Sequence, residues 1–139
     1  MSLAETCEAE VEALHAFFEE WFAGERPRTN EELARLETAL GAEFELLGPD
    51  GDVADRSAVI DAVEAAHGAA GGGEAPDRID IEAVDPRFER DGLCLLVYEE
   101  HQRTAGSWRG RRSSALFEAA EDAPGGVVWR HLHETWLEP

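Results

Sequence analysis

The sequence predicts an α+β domain of order α-α-β-α-β-β-β-β, and three observations carry that prediction. From Leu3 to Phe22 apolar side chains recur every three or four residues. Beyond Pro76 the chain instead alternates apolar and polar residues at a period of two. Asp91-Gly92, Gly106 and Gly125-Gly126 fall between those alternating runs, where hairpin turns are required.

The first helix presents Leu3, Cys7, Val11, Leu14, Phe18 and Trp21/Phe22 on one side and Glu5, Glu8, Glu12 and Glu19 on the other. Gly24 and Pro27 stop it. A second helix starts at Thr29, whose hydroxyl caps it with Glu32 in a capping box. Leu33, Leu36 and Leu40 give it an apolar side before Gly41 closes it. Phe44 and Leu46 alternate with Glu43 and Glu45 in a short strand that turns at Gly48-Pro49-Asp50-Gly51. A third helix is capped by Asp55, carries Val59, Ile60 and Val63, and ends near His67. The glycine-rich stretch from Gly68 to Gly73 reads as a loop. Four strands follow. The second of them, from Leu93 to Thr104, is nearly all apolar in its first half and so belongs in the middle of a sheet.

The 139 residues, 43% of them hydrophobic, are enough for a single core, so one domain over residues 1–139 is expected. No run approaches the roughly 18 apolar residues of a membrane span, and the N-terminus carries no basic or apolar leader. Cys7 and Cys94 make no disulfide framework, and a cytoplasmic location is expected. The net charge is −19, from 31 acidic and 12 basic residues, every basic one an Arg. Such a surface repels phosphate backbones, which excludes nucleic-acid partners. The acids are spread from Glu5 to Glu138 without a long run, so the charge suits a protein adapted to concentrated salt better than a docking tail.

Three stretches resemble the SnoaL-like branch of the nuclear-transport-factor-2-like (cystatin-like α+β) superfamily. They are Phe17-Phe18-Glu19-Glu20-Trp21-Phe22-Ala23-Gly24, the strand from Glu43 to the turn at Gly51, and Trp129-Arg130-His131-Leu132-His133-Glu134-Thr135-Trp136 near the C-terminus. The resemblance implies a long N-terminal helix and two further helices packed on a strongly bent antiparallel sheet that encloses a cone-shaped cavity. In that superfamily the cavity serves isomerases, cyclases and dehydratases, as well as non-catalytic ligand binders and assembly modules. Fold therefore does not settle activity.

Two readings stay open. In the first, His133, with a near-neutral reference pKa, works with Tyr98 and a carboxylate such as Glu99 or Glu100 in proton-transfer chemistry. The resemblance turns His133 toward the cavity; simple alternation puts Trp129, His131, His133 and Thr135 on one face and Val128, Arg130, Leu132, Glu134 and Trp136 on the other. A bulge in that strand would reverse part of this pattern. In the second reading the domain binds a small apolar or anionic ligand, or assembles, without catalysis. Trp21, Phe18 and Trp108 are then candidates for apolar lining, and Arg112, in the cluster Arg109-Gly110-Arg111-Arg112, for an anionic group. His131 and His133 with His101 or Glu99 form only a weak metal motif, and Gly71-Gly72-Gly73 lacks a P-loop's Lys, so no metal and no cofactor is expected. Apolar side chains on both faces of the later strands, Leu93, Leu95 and Val97 against Leu96 and Tyr98, predict a homodimer through the outer face of the sheet.

Overall fold

The computed structural model describes residues 1–138. Its elements are α1 (Leu3–Phe22), α2 (Asn30–Glu37), β1 (Leu40–Leu47), β2 (Val53–Asp55), α3 (Arg56–Ala65), β3 (Arg78–Arg90), β4 (Leu93–Thr104), β5 (Ser107–Ala119) and β6 (Val127–Trp136). The six strands form one sheet in the order β2-β1-β6-β5-β4-β3. All neighbours are antiparallel except β1 and β6, which run parallel, so the sheet is mixed and not purely antiparallel.

Local chemistry starts each helix. Ser2 and Glu5 close a reciprocal capping box on α1, Thr29 accepts from Glu32 N at α2, and Asp55 accepts from Ala58 N at α3. Helix α2 ends at Glu37, three residues short of Leu40. Leu40 is drawn into β1 because it pairs with Trp129 across the sheet and buries there. The turn after β1 also folds back as the short strand β2, and the glycine-rich loop holds one turn of 3-10 helix at Ala69–Gly72.

One face of the sheet packs on α1. Cys7, Val11, Leu14, Phe17 and Trp21 of the helix meet Cys94, Leu96 and Tyr98 of β4, Ala115 and Phe117 of β5, and Val127 and Trp129 of β6, all essentially inaccessible. Trp21 ties α1 to α3, its indole N–H donating to Val63 O at 2.7 Å. Bulges interrupt the β3–β4 register between Glu82 and Asp85 and between Pro86 and Phe88. Such insertions bend a strand, and they let the sheet curl around the helix. A further irregularity sits in β6: Trp129 pairs with Phe117 and His131 with Leu116, which leaves Arg130 as an extra residue. Trp129 and Leu132 therefore both face inward.

Candidate functional site

The curled sheet and the three helices enclose a cavity of about 210 Å³. Its walls are apolar, including Phe18, Phe22, Phe44, Leu46, Trp129 and Leu132. One end is charged: His15 from α1, Glu100 and Gln102 from β4, Arg111 from β5 and Glu134 from β6. Strand alternation brings these together. Glu100 pairs with Arg111, and Ser113, two residues further along β5, pairs with Glu134, so all point to the same inner face.

Glu100, 2% exposed, is saturated with donors. Its Oε1 lies 3.0 Å from His15 Nε2, while Oε2 accepts from Gln102 Nε2 at 2.5 Å and from Arg111 Nη2 at 2.9 Å. The other ring nitrogen of His15, Nδ1, lies 2.7 Å from Val11 O. A carbonyl only accepts, so Nδ1 carries a proton; a carboxylate at Nε2 makes the doubly protonated imidazolium the favoured form. Burial works against that charge, but Glu100 outweighs it and raises the His15 pKa above 6.5. Burial likewise disfavours the Glu100 carboxylate, yet the charges of His15 and Arg111 prevail and hold it far below the usual carboxylate range.

Glu134 is the other buried carboxylate, 4% exposed, and it is poorly served. Arg111 Nε lies 3.0 Å from Glu134 Oε2, but its N–H is not aimed along that line and finds no acceptor. Burial raises the Glu134 pKa, Glu100 and Asp52 add their repulsion, and the opposing charges of Arg111 and His15 only partly offset them, leaving it at about 7. A carboxyl that exchanges its proton near neutrality, at the wall of an apolar cavity, is suited to proton transfer.

The structure redistributes the residues expected from sequence. His133 is exposed on the outer face, between Leu47 of β1 and Ser114 of β5. The extra residue at Arg130 keeps Trp129 inside while moving the inward set to Leu132 and Glu134, so His133 meets neither the cavity nor Tyr98. Glu99 also faces outward, 3.1 Å from His101 Nε2 and 3.4 Å from Arg112 Nη2, which places Arg112 away from the cavity. Tyr98 does point inward. It is fully buried behind the cavity wall, its ring edge-on to His15 at 6.0 Å, and burial raises its pKa well above 10.0. Of the apolar candidates only Phe18 lines the cavity; Trp21 is core, and Trp108 is half-exposed beneath Arg103 at the end of the β4–β5 hairpin.

The weak motif does not assemble as written: His101 and Glu99 lie together with Glu82 from β3, ligand atoms within 4.8 Å of one another, while His131 approaches Glu45 at 3.6 Å. The sequence reading passed over His15, although it sits four residues after Val11 on the apolar side of α1, where a titratable residue is conspicuous.

Among the described residues no helix is long and apolar enough to cross a membrane. Residues 8–138 match the sucrose-6-phosphate phosphohydrolase C-terminal family. No curated protein matches the chain. Among solved structures, an NTF-2 like protein of unknown function from Pseudomonas aeruginosa superimposes with a TM-score of 0.82 at 24% identity, over 96% of this chain and 99% of that one. An NTF2-like protein of unknown function in nutrient uptake from Rhodospirillum rubrum gives 0.68 at 15% identity, over 99% and 100%. The CaMKII hub of S. rosetta gives 0.63 at 9%, over 94% and 95%. The fold is NTF2-like, and at these identities the structural likeness reaches no further than the fold.

Proposed function

We propose that this chain, which belongs to the sucrose-6-phosphate phosphohydrolase C-terminal family, binds a small and largely apolar molecule with one polar end inside its cavity. The observation that carries the proposal is the charged group His15–Glu100–Arg111–Glu134 at one end of an otherwise apolar chamber. Buried charge is expensive, and a fold that needed only a core would fill this space with hydrocarbon. A void of about 150 Å³ admits benzene, so 210 Å³ takes a ring of that size with a short polar head. A phosphorylated disaccharide is too large and too polar for it.

Binding of cyclohexanecarboxamide tests this reading. Trp129 lines the cavity while Trp136 sits outside it, bonded to Asp50. In NMR titrations the Trp129 indole resonance and the amides of Leu14, Phe18 and Leu132 should shift, and that of Trp136 should not. Absence of any cavity-localised shift at millimolar ligand would refute the reading. The Glu134 pKa of about 7 favours a second one, in which this carboxyl moves a proton on the bound molecule. His133 has no part in either.

A homodimer through the outer face of the sheet belongs to the same proposal. Leu93, Leu95, Val97 and Leu116 are only half-buried there, and Phe88, opposite Leu95, is 51% exposed. The likeness to a hub domain is compatible with assembly. Light scattering in salt should return twice the chain mass, and Leu95→Glu should return it to the monomer; a monomer for the unaltered chain at micromolar concentration would count against the dimer.

A further inference from the structure

The two buried carboxylates beside Arg111 are not equivalent. Glu100 receives three partners, whereas among the described residues no hydrogen bond reaches the Glu134 carboxyl. Arg111 has the complementary deficit, since its Nε–H is buried without an acceptor. A donor and a carboxyl, ion-paired but each lacking a hydrogen bond, thus lie 3.0 Å apart at the wall of an apolar chamber. Leaving such groups without a hydrogen bond costs roughly 1–3 kcal/mol each, so the site is built to be completed by something.

We infer that the cavity takes a small monocarboxylic acid with a cyclic or branched apolar body, its carboxylate accepting from Arg111 and sharing one proton with Glu134, so that anion and proton bind together. This rests on the ligand-binding reading above and specifies its ligand. An ammonium head would satisfy Glu134 but repel Arg111 and leave the Nε–H without an acceptor. A hydroxyl could serve both, accepting from Arg111 and donating to Glu134, but it leaves the Arg111 charge to Glu134 alone and binds without a proton. A carboxylate has two oxygens, one for each.

Charge balance explains the proton. The groups facing Glu134 are Arg111 from β5, Glu100 and the neutral Tyr98 from β4, His15 from α1, and Asp52 from the β1–β2 turn. With His15 and Arg111 positive and both glutamates ionised, the four core groups sum to zero. An added anion would then be uncompensated among buried groups. Taking up one proton from solvent at Glu134 restores neutrality, and the Glu134 pKa of about 7 makes that proton available at little cost.

Calorimetric titration with cyclohexanecarboxylate and with its neutral isostere cyclohexanecarboxamide, from pH 6 to 8.5, tests this. Repeating each titration in buffers of different ionisation enthalpy counts protons. Above pH 7 the carboxylate should bind with uptake approaching one proton, its affinity falling up to about tenfold per pH unit, while the carboxamide stays flat. Glu134→Gln should flatten the carboxylate profile. The proposal is overturned if the carboxamide binds and the carboxylate does not, or if the carboxylate binds without proton uptake. Failure of both ligands would overturn the ligand-binding reading with it.

Discussion

Replacing Glu100 by Gln is expected to destabilise the fold by about 3–5 kcal/mol at pH 7, the cost of removing one partner from a buried ion pair and stranding the other. The cost is at the upper end of single substitutions because two cations lose the carboxylate they share: the His15 imidazolium at 3.0 Å and the Arg111 guanidinium at 2.9 Å. His15 escapes by giving up its proton; Arg111 cannot, and is left with Glu134 at 3.0 Å, whose buried carboxyl must then ionise to balance it. The pH dependence is a second signature. The Glu100 pKa is depressed in the folded state from a usual value of 4.5, so its stabilisation is present above that pH and drains away as the pH falls below it. The gap between wild type and variant in denaturant titrations should therefore shrink from pH 7 to pH 3.5. An equal gap at both values would show that Glu100 acts through packing and not through charge.

Glu134→Gln should act in the opposite direction. The Glu134 pKa is raised in the folded state, from 4.5 to about 7, so the fold favours the protonated acid. That preference is fully expressed below pH 4.5 and is lost as the pH climbs through 7, where the ionised carboxylate must be held in a buried position. Gln mimics the protonated acid at every pH. The variant should match wild type near pH 4.5 and exceed it by up to about 3 kcal/mol at pH 8 and above. Unfolding curves at those two values decide it; a variant less stable than wild type at pH 8 would mean that the ion pair with Arg111 outweighs the burial cost. A residue that lowers stability at neutral pH, and that one isosteric change would relieve, is the kind retained for a function.

Much of the architecture is local and could be read along the chain. The capping side chains of Ser2, Thr29 and Asp55 start helices because each supplies an acceptor to backbone N–H groups within three residues. Asp91-Gly92 turns a hairpin with positive φ at both positions, a requirement written in the dipeptide itself, while at Ala105-Gly106 only the glycine announces the turn. Phe18 could be assigned to the inner side of α1 from its helical spacing, and Tyr98 to the inner face from the alternation of β4.

The charged site could not be assigned in this way. Its members come from α1, β4, β5 and β6, and only the pairing of Glu100 with Arg111 and of Ser113 with Glu134 sets them side by side. The end of α2 was decided by the sheet too, since Leu40 gains more by pairing with Trp129 than by extending a helix. Most consequential is the one unpaired residue at Arg130. Side chains in a strand repeat every two residues, so a single insertion exchanges the two faces from that point onward. The sequence carries no mark of it, because its cause is how β6 must bend to lie between β5 and β1. That bend puts His133 in solvent and Glu134 in the cavity.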